Sequence, residues 1–308
     1  MLLIDNKNSS DPTINLALEE HCYRNLDAFH DYILFYINKP SIIVGNHQNP
    51  FQEFDCEFAG QKQIRPLRRI SGGGTVYHDF GNLNFSFITA FTEEKLDYFK
   101  TLIQPILNTL QHLGVTPELT EKNTILIKGQ KISGNSQHTN MSRMLSHGTL
   151  LFNSDLDVLN RVLNPNLEVV KSRGVPSRKS DVTNITEFLP HPMRMKDFVA
   201  KLKAAVSDAF GVLKEYQLTG EEWKAVHRLA EEKYRSWDWT FGRSPEFIAR
   251  HRIKLAARDV EVLVSVKNGL IKDIRMAENH AADATIFINL AGFVGTRYGS
   301  ESANQLLK

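Results

Sequence analysis

Three consecutive glycines follow two adjacent arginines in the run Arg68-Arg69-Ile70-Ser71-Gly72-Gly73-Gly74-Thr75-Val76-Tyr77-His78-Asp79, and no other segment restricts the fold so strongly. Glycines lack Cβ atoms, so they reach φ > 0 and let a ligand approach the backbone N–H groups. Successive free amides form a concave nest for phosphate or carboxylate oxygens, and a guanidinium adds a planar fork of charged donors. An ordinary Gly-rich hairpin turn is the competing reading. The paired arginines and the polar His-Asp end favour anion binding. No Gly-Lys-Ser/Thr follows, so the run is not a P-loop, and its spacing also misses the dinucleotide fingerprint. The expectation is an anion-binding loop with a strand behind it, outside the common nucleotide folds.

With 308 residues, 42% of them apolar, the chain can bury a sizeable core and form two domains. Its net charge of +2 gives no ground for nucleic-acid binding, and no basic stripe or interleaved aromatic platform supplies one. Only Cys22 and Cys56 are present, which excludes a disulfide framework and a cysteine-rich zinc site. Cys22 falls in a helical pattern and reads as a small buried hydrophobe. The first residues are too short and polar for a signal peptide, and no apolar run reaches membrane length. A soluble, cytoplasmic protein is expected.

Asp11-Pro12 reads as an N-cap with proline at the first helical position, opening a helix to about Leu26. Residues 32–37 and 41–44 read as strands separated by a hairpin-like break at Asn38-Lys39-Pro40, and a polar loop, Gly45 to Pro50, follows. In 83–89, Leu83, Phe85 and Phe87 alternate with Asn84 and Ser86, as a strand with one polar face requires. That face points at the glycines if the two segments pair. Leu96 to Leu113 carries a helical stripe closed by Gly114, with Pro105 kinking or splitting it.

Strands are expected at 124–128, 131–136 and 146–152, with Gly129-Gln130 as the first turn, then a helix from Ser154-Asp155 to Asn164-Pro165. The basic stretch 171–179 reads as a solvated loop rather than a ligand contact. Residues 195–210 form an amphipathic helix, and Thr219 with Glu222 makes a capping box for a helix to about Tyr234. After the aromatic segment Trp237 to Gly242 the pattern becomes strands at 252–256, 260–266 and 270–276, with Asn268-Gly269 as a type I′ turn. A strand at 285–290 and a helix ending near Leu307 close the chain. A boundary near Gly242 therefore separates residues 1–242 from a small α+β unit, 243–308.

Two further polar clusters accompany the glycines. Lys131 opens a short strand that Gly134 breaks, and a solvated edge lysine is the plainer account of it in isolation. His147 and Thr149 fall on one face of the 146–152 strand. Together these segments resemble the lipoate-protein ligase family of the biotin/lipoate ligase superfamily. The resemblance runs through Ile43-Val44-Gly45-Asn46-His47-Gln48-Asn49-Pro50, the arginine and triple-glycine loop to Asn82, Lys131-Ile132-Ser133-Gly134, His147-Gly148-Thr149-Leu150-Leu151, Val182 to Glu187 and Trp237 to Gly242. It covers nearly the whole chain.

The resemblance implies an α/β catalytic domain, a central mixed sheet flanked by helices, with a small C-terminal α+β domain that swings during the cycle. It implies an ATP-dependent enzyme that converts lipoate to lipoyl-adenylate and passes the lipoyl group to a lysine of a carrier domain. The carriers implied are the lipoyl domains of 2-oxoacid dehydrogenase complexes and the glycine-cleavage carrier protein. By carry-over, Lys131 is the catalytic residue, touching the α-phosphate and the acyl carbonyl. Arg69, Gly74, Thr75, Val76 and Tyr77 hold the nucleotide; Ser71, Gly72 and Gly73 line the acyl-adenylate; His78, Asn82, Asn123, His147 and Thr149 support them. Mg²⁺ accompanies ATP through its phosphates, with no protein ligand assigned, and the chain is expected to be a monomer.

One departure stands out: the family often carries Asn-Asp ahead of the lysine motif, whereas Asn123 is followed here by Thr124, which keeps only a neutral hydroxyl. Two rival readings are a lipoyl or octanoyl transferase using a preactivated donor and a non-catalytic lipoate sensor. Neither cysteine lies in a motif segment, and the Asp79-Phe80-Gly81-Asn82 continuation and the C-terminal domain favour the ligase.

Overall fold

The computed structural model describes residues 1–91, 98–140, 142–255, 258–277 and 292–299. The expected strand at 285–290, the terminal helix near Leu307 and the Leu96 start of the helical stripe lie outside the described residues.

A six-stranded mixed sheet forms the centre, in the order Asn135–Thr139, Arg143–Leu151, Asn82–Ala90, Tyr32–Tyr36, Leu2–Ile4 and Lys214–Tyr216. The last three strands are mutually parallel and the others pair antiparallel. Alternation along Asn82–Ala90 sorts the two faces. Leu83, Phe85 and Phe87 join an apolar cluster with helices Phe99–His112 and Met195–Phe210. On the other side Ile88 packs with Tyr32, Leu34, Tyr36 and Leu145 against helices Pro12–Asn25 and Gly220–Leu229. The α/β architecture with helices on both faces follows from that sorting.

Local signals are realised where partner choice does not matter. The Asp11 side chain caps the first helix by accepting from Thr13 N, and Thr219 with Glu222 forms the reciprocal capping box. Asn268 and Gly269 take φ of 53° and 69°, as a type I′ hairpin turn requires. Pro105 sits inside a single helix, Phe99–His112, rather than dividing it.

The Asn38-Lys39-Pro40 break is not a hairpin. Strand Tyr32–Tyr36 belongs to the central sheet, whereas Ser41–Val44 crosses into a separate three-stranded sheet between Arg65–Arg68, parallel, and Val76–His78, antiparallel. A further antiparallel sheet, Pro117–Leu119, Ile125–Ile127 and Gln130–Ser133, brings Lys131 to the central sheet's edge. The strand expected at 131–136 is broken at Gly134 into Gln130–Ser133 and Asn135–Thr139.

After Gly242 the chain forms the meander Phe247–Leu255, Arg258–Lys267 and Leu270–Met276 over its own apolar cluster. An edge strand of this sheet comes from well before the expected boundary: Glu168–Ser172 pairs antiparallel with Phe247–Leu255. Phe51 also reaches into the cluster, with ring centroids 5.7 Å from Phe247 and 4.8 Å from Tyr298.

Arg68 ties the loop after strand Ser41–Val44 to the aromatic segment 237–242 that leads into the C-terminal sheet. It is fully buried, and Nη1 donates to the carbonyls of Gly45, Asn46 and Gln48 at 3.0, 3.0 and 2.9 Å. Nε and Nη2 donate to Thr240 at 3.1 and 2.7 Å, while Trp239 Nε1 donates back to the Arg68 carbonyl at 2.7 Å. Arg68→Ala strips buried carbonyls of a charged donor and should lower the unfolding free energy by at least about 3 kcal/mol, measured by urea denaturation. A change within about 0.5 kcal/mol, the size usual for exposed positions, would remove this role from Arg68.

Candidate active site

Cross-strand register builds the floor of the site. On the face toward helix Pro12–Asn25 the residues Tyr32, Ile88 and Leu145 lie opposite one another, then Leu34, Ser86 and His147, then Tyr36, Asn84 and Thr149. Each step along the strands is more polar, so the cleft opens at the polar end. Ser136 extends the middle row beside His147.

The glycine loop lies across this floor, and its geometry revises the part expected of Arg69. That side chain is buried and its donors turn inward: Nε to Ser71 Oγ at 3.0 Å, Nη1 to the Ile43 carbonyl at 3.0 Å, and Nη2 to the Gly72 and Gly74 carbonyls at 2.6 and 2.8 Å. A trans peptide points its C=O and its N–H in opposite directions. By holding the Gly72 and Gly74 carbonyls, Arg69 turns the amides of Gly73 and Thr75 away from itself. Gly73 has φ of 87°, and a Cβ there would stand 3.0 Å from Arg69 Nη2. The arginine therefore shapes the nest, while its charge still biases the cleft toward anions.

Ser71 Oγ, His147 and Glu19 form a chain, with 2.6 Å from Ser71 Oγ to His147 Nε2 and 2.9 Å from His147 Nδ1 to Glu19 Oε1. The order is that of a hydrolytic triad. Ser71 is fully buried, accepts from Arg69 Nε and does not line the cleft, so the chain positions His147 rather than arming a nucleophile. Burial alone would raise the Glu19 carboxyl, but the His147 ring, the Ser86 hydroxyl and Arg69 outweigh it and hold the group below the ordinary value.

His78 is prepared differently. Asn38 Nδ2 lies 3.0 Å from His78 Nδ1, and Asn38 Oδ1 accepts from Asn15 Nδ2 at 2.8 Å. This orientation makes Nδ1 the acceptor and leaves the ring proton on Nε2. Burial first, then Arg69 and His147, push the ring down to about 3, so it is neutral near neutrality. His78 lines the cleft, and its buried Nε2 has no protein partner.

Lys131 stands where two lobes meet. A cleft of about 1020 Å³ is bounded by Leu16, Tyr36, Ile43, His78, Asn84 and His147, and a second lobe of about 470 Å³ by Tyr77, Leu151, Leu159 and Leu163. Lys131, Thr75, Val76, Gly134 and Thr149 border both. Lys131 N donates to the Asp181 carbonyl at 2.8 Å and its own carbonyl accepts from Thr183 N at 3.0 Å, which fixes its backbone. Burial, then Arg69, lowers the pKa of its ammonium.

The basic stretch expected to be a solvated loop is a wall of both lobes: Ser177, Arg178, Lys179 and Ser180 line each. Lys122 adds another cation to the larger lobe. Among the described residues no group of three His, Cys, Asp or Glu side chains converges to hold a metal.

Of the residues singled out in the sequence, Arg69, Gly73, Gly74, Thr75, Val76, Tyr77, His78, Lys131, His147 and Thr149 border one lobe or both. Ser71 and Gly72 sit behind the loop surface; the Gly72 carbonyl accepts from Ser136 Oγ at 3.0 Å. Asn82 is fully buried and reaches the cleft only through Asn84, whose Oδ1 accepts from it at 3.0 Å. Asn123 takes φ of 57° and contributes a carbonyl to Asn135, while its neighbours Lys122 and Thr124 line the cleft. The sequence reading missed Glu19, Tyr36 and Ser177; it placed Asn84 on the polar strand face turned toward the glycines without making it a site residue, and Asn84 lines the cleft.

The profile of the lipoyl protein ligase A/B catalytic domain matches residues 11–207. The chain is 41% identical over 278 residues to the lipoate-protein ligase LplJ of Bacillus subtilis, covering 90% of this chain and 84% of that protein. Among solved structures, a bipartite lipoate protein ligase from Thermoplasma acidophilum, studied with its E2 lipoyl domain, superposes with a TM-score of 0.67 at 26% identity, over 79% of this chain and 96% of that one. A lipoate-protein ligase A bound with ATP superposes with a TM-score of 0.68 at 26% identity, over 79% and 98%.

Because the folded pKa of Glu19 lies below the unfolded one, its stabilisation is present above the unfolded value and lost as pH falls through the folded value. Glu19→Gln should be less stable than the parent by about 1–3 kcal/mol at neutral pH, and the gap should narrow on acidification below the carboxylate range. Urea midpoints across that range check this; parallel curves would show that the carboxylate contributes nothing.

Proposed function

The chain belongs to the lipoyl protein ligase A/B family, and on that premise we propose that it is an ATP-dependent lipoate–protein ligase. One observation carries the reading: an anion-favouring glycine loop and a half-buried lysine meet at the junction of two lobes of unlike lining. The lobe bounded by Leu16, Tyr36 and Ile43 suits an acyl chain, and the lobe bounded by Tyr77, Leu151 and Leu159 suits adenosine. Lys122, Arg178 and Lys179 supply cations for the remaining phosphates.

In the first step a lipoate carboxylate oxygen bonds to the α-phosphorus, the bond from that phosphorus to the bridging oxygen breaks, and pyrophosphate leaves. In the second, a carrier lysine amine attacks the acyl carbon, AMP leaves and the amine loses a proton as the amide forms. Both steps build negative charge on oxygens near one point. The Lys131 ammonium and the Gly73 amide can stabilise that charge without covalent participation, and fixed alignment of the reactants supplies the rest. The neutral His78 Nε2–H is a donor of fixed direction for the same ligand. Mg²⁺ enters as the counter-ion of ATP: the described residues form no cage for it, so no step is assigned to it.

The rest of the sequence reading stands as part of the proposal. The partners are lipoyl domains of 2-oxoacid dehydrogenase complexes and the glycine-cleavage carrier protein, and the enzyme is a cytoplasmic monomer in which 243–308 forms an accessory domain to 1–242. No helix among the described residues is long and apolar enough to cross a membrane. A cysteine-dependent transferase is disfavoured, because Cys22 is fully buried, with burial pushing its thiol far up, and neither cysteine borders the lobes.

Lipoate-dependent exchange of labelled pyrophosphate into ATP tests the reading. Lys131→Ala should fold normally and lose at least about 10²–10³-fold in exchange, the scale for removing one preorganised donor; near-normal exchange would overturn the role of Lys131. A reaction that needs the cationic lysine declines as pH rises through its lowered pKa. The alkaline limb of exchange should therefore fall below the ordinary lysine value, and a limb at or above that value would show that another group titrates.

A further inference from the structure

At the edge of the smaller lobe, which it lines, a buried carboxylate on a separate element holds the wall of the cleft in place. Glu53 ends the short helix Pro50–Glu53 and is 5% exposed. Ser177 N donates to its two carboxylate oxygens at 3.2 and 3.3 Å, and the Ser177 hydroxyl donates to Oε2. The same hydroxyl oxygen accepts from Thr75 N at 2.8 Å and from Gln48 Nε2 at 3.0 Å. Gln48 Oε1 in turn accepts from Gly45 N at 2.9 Å and from Thr75 Oγ1 at 2.8 Å.

These bonds close a circuit between the glycine loop, the 45–53 loop and the segment 174–180. Little apolar burial does the same job: Val175, the only large apolar side chain of that segment, is 61% exposed. A segment held by hydrogen bonds rather than by burial opens at low cost unless those bonds are charge-assisted. Glu53 supplies the carboxylate: burial raises its pKa, and the donors from Ser177 oppose that rise.

We propose that Glu53 is a positioning residue for nucleotide binding: through Ser177 it docks the segment 174–180 against the glycine loop, so that Arg178 and Lys179 face the bound phosphates. The proposal rests on the ligase reading for its ligand and not for its latch. Without the carboxylate, Ser177 loses the acceptor for both its N–H and its hydroxyl, and the segment is left with weaker, neutral ties such as Gln48 Nε2 to the Val175 carbonyl at 3.2 Å and Val175 N to the His47 carbonyl at 3.2 Å.

The test uses the protein with Glu53→Gln and, as a second variant that keeps the backbone N–H donor to Glu53, Ser177→Ala. Trypsin cleavage after Arg173, Arg178 or Lys179 is followed without ligand, and ATP kinetics are measured by pyrophosphate exchange. Both variants should melt as cooperatively as the parent and be cut in this segment about tenfold faster or more, the scale of losing a charge-assisted hydrogen bond. Glu53→Gln should raise KM for ATP about tenfold or more while kcat changes by less than about threefold. Unchanged cleavage in both folded variants would overturn the latch. Faster cleavage with unchanged KM, or a fall in kcat alone, would overturn the positioning role. Absence of exchange in the parent would refute the ligase reading, and the cleavage rates would still decide whether the latch exists.

Discussion

Two adjacent arginines at the end of one short strand fix both sides of the site. Side chains of successive extended residues point to opposite faces, so Arg68, the last strand residue, enters the seam between the 45–48 loop and the 237–242 segment, while Arg69, the next residue, enters the glycine loop. Both are buried, and backbone carbonyls are the main acceptors of both. Among the described residues no carboxylate is hydrogen-bonded to either: carbonyl dipoles solvate Arg68 and leave its net charge in place, while Glu19 offsets part of the charge of Arg69 through space. Burying such ions is costly unless every donor is satisfied, and these circuits satisfy them. The result is a loop whose Gly72 and Gly74 carbonyls are committed to Arg69, which turns the Gly73 amide away from it and gives the Thr75 amide to Ser177 Oγ.

This division of labour separates what was legible in the sequence from what was not. Gly73, Lys131, His147 and Thr149 could be singled out because glycine spacing, strand alternation and the resemblance all operate within a few residues. So could the capping box at Thr219 and the turn at Asn268. Arg69 was legible as a functional residue but not as the one that bends the loop, because that depends on where the Ile43, Gly72 and Gly74 carbonyls end up. Strand Glu168–Ser172 joins a sheet built mainly after residue 242, and Ser41–Val44 leaves the sheet of its neighbour. Both are choices of partner that periodicity does not encode.

Glu19 and Glu20 show the same limit on a helix. Pro12 to Tyr23 is buried throughout, so neither carboxylate can be left to solvent. Successive helix residues project about 100° apart. Glu19 therefore meets His147 and Ser86 in the cleft floor, while Glu20 turns to Lys233, Tyr234 and Arg24. In the sequence they are two like residues in an amphipathic pattern. In the fold one orients a site residue, and the other anchors the helix that continues from the Thr219 capping box.

The segment from Ser172 to Thr183 draws these threads together. It begins in the C-terminal sheet, where Arg173 N donates to the Glu246 carbonyl at 3.0 Å, and ends beside Lys131, bonded to it through Asp181 and Thr183. Both ends are fixed by backbone hydrogen bonds to different sheets. A displacement of the small sheet relative to the sheet that carries Lys131 strains the stretch 174–180, which walls both lobes. Its composition of serine, proline and cations, with little apolar mass, is what such a stretch requires: it can release from Gln48 and Glu53 without exposing core. A basic loop that looks solvated in the sequence thereby runs from the C-terminal sheet to the backbone of Lys131, which it meets through hydrogen bonds.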